Sequence, residues 1–166
     1  EKGSDDLVIA RFSSGSSGYR CAVLDFLPAH GRSVVAFGFM SFSPHVAIGL
    51  HEDPPQLARG PFNNFGWIGE TAQGACLYQG KNVRHDGTML RPLEEPTGQG
   101  FFEGMNVTMV VDHEAGIISW LISGGTFPST FTVELPPSLR QRPLAPGISA
   151  TSSSKFAVRV CTEGPA

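Results

Sequence analysis

The sequence predicts an all-β chain folded as a two-layer antiparallel β-sandwich with long connecting loops. Three observations carry that expectation. Twenty glycines and 13 prolines punctuate the 166 residues, so short apolar runs alternate with turn signals in the manner of sandwiches and barrels. No stretch of a dozen residues free of Gly and Pro carries apolar side chains spaced by three and four, so no amphipathic helix is expected. Charged residues make up 16% of the chain and 12 residues are phenylalanine, against about 25% charged in ordinary globular domains. One domain with a substantial core is therefore expected over residues 1–166, with Glu1–Asp6 and residues 161–166 as tails.

The elements follow in order. Leu7–Phe12 reads as a strand, ended by the low-complexity loop Ser13–Gly18. Tyr19–Phe26 and Val34–Met40 read as strands on either side of the Pro28–Ser33 turn signals, and are expected to pair as a hairpin. Val46–Leu50 is the next strand. Glu52–Phe65 contains Pro54, Pro55, Gly60, Pro61, Asn63 and Asn64 and reads as a long loop; loops of that length inside a domain tend to be functional. Gly66–Ile68 and Ala75–Tyr78 are short strands, and Lys81–Phe101 is a second long connection.

Asn106–Asp112 and Ile117–Ile122 are rich in β-branched residues and flank His113–Gly116, which predicts an antiparallel hairpin. Both runs are apolar on alternate and intervening positions, which predicts burial on both faces. Ser123-Gly124-Gly125 ends the second strand. Phe131–Leu135 is a further strand and Pro136–Pro143 a polar loop; Ile148–Ala150 and Phe156–Val160 close the sheet around a Thr151–Ser154 turn. Trp67 and Trp120 lie in strand patterns and are expected in the core.

Composition narrows the function classes. Net charge is −3, and the arginines are scattered, whereas a nucleic-acid binder normally shows a clustered basic footprint; direct nucleic-acid contact is not expected. Cys21, Cys76 and Cys161 are odd in number and sit among apolar neighbours. That favours buried thiols in a reducing compartment (cytoplasm, nucleus or mitochondrial matrix) over a disulfide framework. The longest apolar run, Val34–Met40, is far short of a membrane span, so no membrane contact is expected. The chain opens at Glu1 and is read as a piece of something longer, so a missing targeting signal carries no weight.

Catalysis finds little support. No two of the five histidines have helical zinc spacing, and there is no Cys-x-x-Cys. Asp112-His113-Glu114 falls where a hairpin turn wants polar residues. Gly-x-Ser-x-Gly is absent, and Glu94 and Glu95 are adjacent rather than set across a cleft. The expectation is a chain that is not an enzyme and takes no metal or cofactor.

Four phrases in order carry a resemblance. They are Gly66-Trp67 with Leu77-Tyr78-Gln79-Gly80-Lys81-Asn82, Val107–Asp112 with Ala115-Gly116, Ile117–Ile122 with Ser123-Gly124, and Leu144-Ala145-Pro146-Gly147-Ile148. Together with Ala47-Ile48-Gly49-Leu50 they resemble the SPRY domain family, from about Tyr19 to Val160, and most closely the branch found with a SOCS box. The departures are Gly104-Met105 for Gly-Asp, Ser123-Gly124 for Asn-Gly, Leu144-Ala145-Pro146 for Tyr-Pro-Ala, and Thr151-Ser152-Ser153 where the SOCS-box branch carries Val-Trp-Gly.

The resemblance implies a concanavalin-like sandwich that recognises a protein or short linear peptide through loops at one end. Carried over by position, those loops hold Arg11, Ser13 and Ser14; Pro55, Arg59, Phe62, Asn63 and Asn64; and Thr151, Ser152 and Ser153. Arginine and exposed aromatics are the types enriched at binding hot spots. The competing reading is a structural subunit of a larger assembly, including a ribonucleoprotein, docked through an apolar sheet face.

Overall fold

The computed structural model describes residues 7–11, 19–41, 46–52, 68–69, 72–96, 100–101, 104–124, 128–151 and 155–163. Twelve strands account for most of these: β1 Leu7–Arg11, β2 Tyr19–Val23, β3 Arg32–Ser41, β4 Val46–His51, β5 Gly74–Tyr78, β6 Asn82–His85, β7 Thr88–Leu90, β8 Asn106–Asp112, β9 Ile117–Ser123, β10 Ser129–Glu134, β11 Ala145–Thr151 and β12 Lys155–Glu163. They form two six-stranded antiparallel sheets, ordered β1-β12-β3-β8-β9-β10 and β2-β11-β4-β5-β6-β7. The two-layer antiparallel sandwich expected from composition is the observed architecture. The one helical element among the described residues is a single 3-10 turn, Pro137–Leu139.

The core lies between the sheets and is built from every second residue of the strands. The first sheet contributes Val35, Phe37 and Phe39, then Val107, Met109 and Val111, then Ile118, Trp120 and Ile122. The second faces them with Val46, Ile48 and Leu50, with Ala75, Leu77 and Val83, and with Ile148 and Ala150. Trp120 is fully buried, as expected, and stands in register between Met109 and Phe131. Trp67 lies outside the described residues.

Several expectations need correction. β8 and β9 pair as the predicted hairpin, but they are not buried on both faces. Burial alternates along them: Val107, Met109 and Val111 are enclosed, while Thr108, Val110 and Asp112 are half-exposed, and Leu121 on β9 is 42% exposed. The outward apolar residues are β-branched or cross-strand partners of β-branched residues, favoured on a pleated surface without full burial. On that outward face Ser119 and Thr132 share a hydroxyl hydrogen bond of 2.9 Å between β9 and β10.

The strand enclosed on both faces is β4, all six of whose residues are buried. Of its outward residues Ala47 and Gly49 are small, and Ile68 packs on Ala47 in a satellite cluster with Cys76. Gly49 has no room for a side chain, because a Cβ would fall on the Ala75 carbonyl oxygen and 2.7 Å from the Cys76 Cα.

β2 and β3 do not form a hairpin; they belong to different sheets. Residues 24–31 cross between the layers, held by hydrogen bonds from Leu24 N–H to the Pro146 carbonyl and from Leu27 N–H to the Leu144 carbonyl, each 2.8 Å. The connection Lys81–Phe101 is not a plain loop either, since it contains the β6–β7 hairpin. Asp86 (φ 51°) and Gly87 (φ 70°) make its turn, the left-handed pair that Asp-Gly favours in two-residue hairpins. Ile68 sits in a turn rather than a strand. At the other end, Cys161–Glu163 are not tail, because β12 pairs with β3 as far as Glu163↔Arg32.

Candidate functional site

Strand register decides which loops share an end of the sandwich. In the first sheet Arg11 pairs with Lys155, and Lys155 with Ser41. In the second, Thr151 pairs with Tyr19. β11 ends at Thr151 in one sheet and β12 begins at Lys155 in the other, three residues later in sequence, so Arg11 and Thr151 stand as strand ends on a common rim. Two of the three predicted loops are thereby rooted together. Ser13, Ser14, Ser152 and Ser153 lie outside the described residues.

The third predicted loop is rooted differently. β4 ends at His51, which pairs with Gly74 on one side and Ala145 on the other, and Glu52 N–H donates to the Gln73 carbonyl at 2.8 Å. Those positions are at the end opposite Thr151. Pro55, Arg59, Phe62, Asn63 and Asn64 lie outside the described residues. Ile68, the next described residue, lies on the outer face of the second sheet. The Ile68 N–H donates to Ser149 Oγ at 3.2 Å, and its side chain packs on Ala47 and Cys76. Ala47 is four residues from His51, about 13 Å at roughly 3.3 Å per residue. Ser149 is two positions before the rim residue Thr151. Gly69 follows, its carbonyl accepting from Gly87 N–H at 3.0 Å.

The phrase Leu77–Asn82 also opens on the Thr151 rim, since Tyr78 pairs with Ala47 and Asn82. Gln79 (φ 53°) and Gly80 (φ 64°) form a tight left-handed turn, closed by Lys81 N–H to the Tyr78 carbonyl at 3.0 Å. Phe101 buttresses it: its N–H donates to the Gln79 carbonyl at 3.1 Å, and a Cβ on Gly80 would lie 2.7 Å from its ring. Phe101 in turn meets Phe39 edge-on at 5.2 Å between centroids.

Beside this turn the outer face of the second sheet carries a polar and aromatic group that sequence reading missed. The Arg84 guanidinium sits 4.5 Å above the Tyr78 ring, and its Nε donates to Asn82 Oδ1 at 3.3 Å. Gln79 Nε2 reaches the Tyr78 hydroxyl at 3.3 Å. The available signal was Asp86-Gly87, which marks a hairpin and so places Arg84 on a strand beside Tyr78.

At the opposite end Asp112-His113-Glu114 is the turn that was expected. Asp112 Oδ1 accepts the N–H of Glu114 at 3.0 Å and of Ala115 at 2.8 Å. Burial holds the His113 pKa below the usual 6.5, partly offset by the Asp112 carboxylate. His30 pushes it further down, while the Pro28 carbonyl favours the proton from outside good hydrogen-bond geometry. His113 is therefore neutral at neutral pH. Among the described residues no three His, Cys, Asp or Glu side chains are grouped to hold a metal, and no helix is long and apolar enough to cross a membrane.

No family model and no curated protein sequence matches this chain. Solved structures do match it in fold. The SPRY domain of human HERC1 aligns with 92% of this chain and 87% of its own, at 20% identity and a TM-score of 0.59. Metal-free lectin I-B4 from Griffonia simplicifolia aligns over 95% of this chain and 93% of its own, at 11% identity and TM-score 0.56. Stonustoxin matches 80% of this chain at 12% identity and TM-score 0.52, and this chain spans 19% of it. The chain thus has the concanavalin-like β-sandwich fold found in SPRY domains and lectins.

Proposed function

We propose that this chain is a non-catalytic recognition module that binds a protein or short linear peptide through the loops of the Arg11–Thr151 rim. The observation that supports this reading is that β1 and β11 end, and β2 and β12 begin, at one end of the two-sheet scaffold. A scaffold of that kind presents its loops preformed, so little ordering entropy is lost on binding. Arg11, Ser13, Ser14, Thr151, Ser152 and Ser153 supply polar contacts there. Pro55, Arg59, Phe62, Asn63 and Asn64 supply selectivity from a connection whose Ile68 reaches Ser149, next to the rim. The nearer kinship to the SOCS-box branch rests on the sequence phrases. The module works in a reducing compartment, a reading supported by its odd cysteine count.

The test is an affinity capture from native lysate with the wild-type chain and the Arg59→Ala, Phe62→Ala double variant, both first shown to melt at the same temperature. Partners lost only from the variant support loop recognition. Identical partner sets move the interface to a sheet face and support the assembly-subunit reading instead.

A further inference from the structure

The end of the sandwich opposite the rim holds a polar cleft of about 350 Å³, formed around the β8–β9 turn, Leu93, Glu134 and the Arg140-Gln141 corner. Its parts are firmly held. The turn is closed by Asp112 Oδ1, as above, and His113 N–H donates to the Gly31 carbonyl at 3.0 Å. Leu135 N–H donates to the Gly116 carbonyl at 2.8 Å, tying the exit of β10 to the turn. Arg140 then folds back, its Nε donating to the Leu135 carbonyl at 2.8 Å. The guanidinium carbon lies 3.9 Å from where a Cβ on Gly116 would stand, so the two residues are neighbours in the cleft.

That bond uses one of the five guanidinium N–H donors. Among the described residues no carboxylate forms an ion pair with Arg140, although Glu114 and Glu134 line the same cleft. With His113 neutral, Arg140 is the one cation among the lining residues. A pre-fixed guanidinium with free terminal donors suits a carboxylate, which it grips in a planar fork at small entropic cost. The two glutamates decide what kind of carboxylate. A dianion such as phosphate meets net repulsion, whereas a single carboxylate beside a positive group satisfies both signs. Leu93, which is 56% exposed, and Ile117 add apolar surface.

We propose that this cleft binds a peptide segment presenting one carboxylate next to a basic group, with Arg140 holding the carboxylate and Glu114 and Glu134 meeting the positive charge. The carboxylate comes from a chain terminus or from an acidic side chain. This surface is separate from the rim, and its failure would leave the rim reading untouched.

The experiment is a titration of the 15N-labelled chain with two probes, acetyl-Lys-Leu-Leu bearing a free terminal carboxylate and acetyl-Leu-Lys-Glu-amide bearing only a side-chain one. The readout is the amide shifts of Glu114, Ala115 and Gly116. Saturable shifts with either probe are expected, and the responding probe identifies the carboxylate's source. Arg140→Gln should weaken binding by about tenfold or more, the loss of one charge-assisted pair. Because that variant also disturbs the Leu135 bond, Glu114→Gln with Glu134→Gln is the second test. It leaves Arg140 in place and should weaken the lysine-bearing probes while admitting inorganic phosphate. No shift with either probe, unchanged affinity in Arg140→Gln, or phosphate binding in the wild type would each overturn the proposal.

Discussion

Replacing Ile68 by alanine tests whether the β4–β5 connection is bound to the outer face of the second sheet. Ile68 is fully buried against Ala47 and Cys76. The change removes three carbons, a transfer loss of roughly 2.5 kcal/mol at about 0.8 kcal/mol per buried methylene. A cavity term would add to this in a rigid core. Here the cluster is a small one apart from the main core, so it can settle, and we expect about 2–3 kcal/mol in total. The assay is urea unfolding: with a slope of roughly 2 kcal/mol per molar, the midpoint should fall by about 1–1.5 M. Leu121→Ala, at a position 42% exposed, is the control and should stay within about 0.5 kcal/mol of wild type. A midpoint shift for Ile68→Ala no larger than the control's would refute the anchoring, and with it the approach of that connection to Ser149.

Three further outcomes follow from the geometry. Gly49→Ala should destabilise by about 1–3 kcal/mol or more through overpacking against the Ala75 carbonyl, read by the same unfolding assay. Gly87→Val should cost about 1–2 kcal/mol, because φ is 70° there, and should raise amide exchange in Asn82–Leu90 first. For His113, the folded pKa lies below the unfolded 6.5. Between those two values the unfolded chain takes up a proton that the folded chain refuses, so stability falls as pH drops through this window and levels off below it. His113→Gln should lose less stability than wild type between pH 7 and 5, measured by urea unfolding at each pH; equal losses would contradict the assignment.

How much could be read from the chain depended on where its signals were local. The β8–β9 hairpin, the strands β3, β4 and β11, and the burial of Trp120 followed from apolar runs and turn residues, which are short-range features. What a run pairs with is set by tertiary packing, and there the sequence misled: Tyr19–Phe26 next to Val34–Met40 looks like a hairpin, yet β2 pairs with β11 and β3 with β8 and β12. Burial of a second face was equally hidden. Val110 and Leu121 are apolar and outward, whereas the small residues Ala47, Gly49 and Ser149 mark the face that another segment covers. For the site, the strand ends Arg11 and Thr151 share one rim, while His51, the strand end before Pro55–Phe65, stands at the other. Loop position in the chain says nothing of which end a strand finishes on; only the count of strands between sheets does.

The most direct test of rim recognition compares lysine substitutions at two places on the chain. Ser152→Lys with Ser153→Lys places bulk on the β11–β12 link, and Leu121→Lys places it on the exposed sheet face. Each variant is matched to wild type by thermal melt, then used to capture partners from native lysate. The rim variant is expected to lose the wild-type partner set and the sheet-face variant to keep it. The reverse pattern would rule out rim recognition and assign the interface to the sheet.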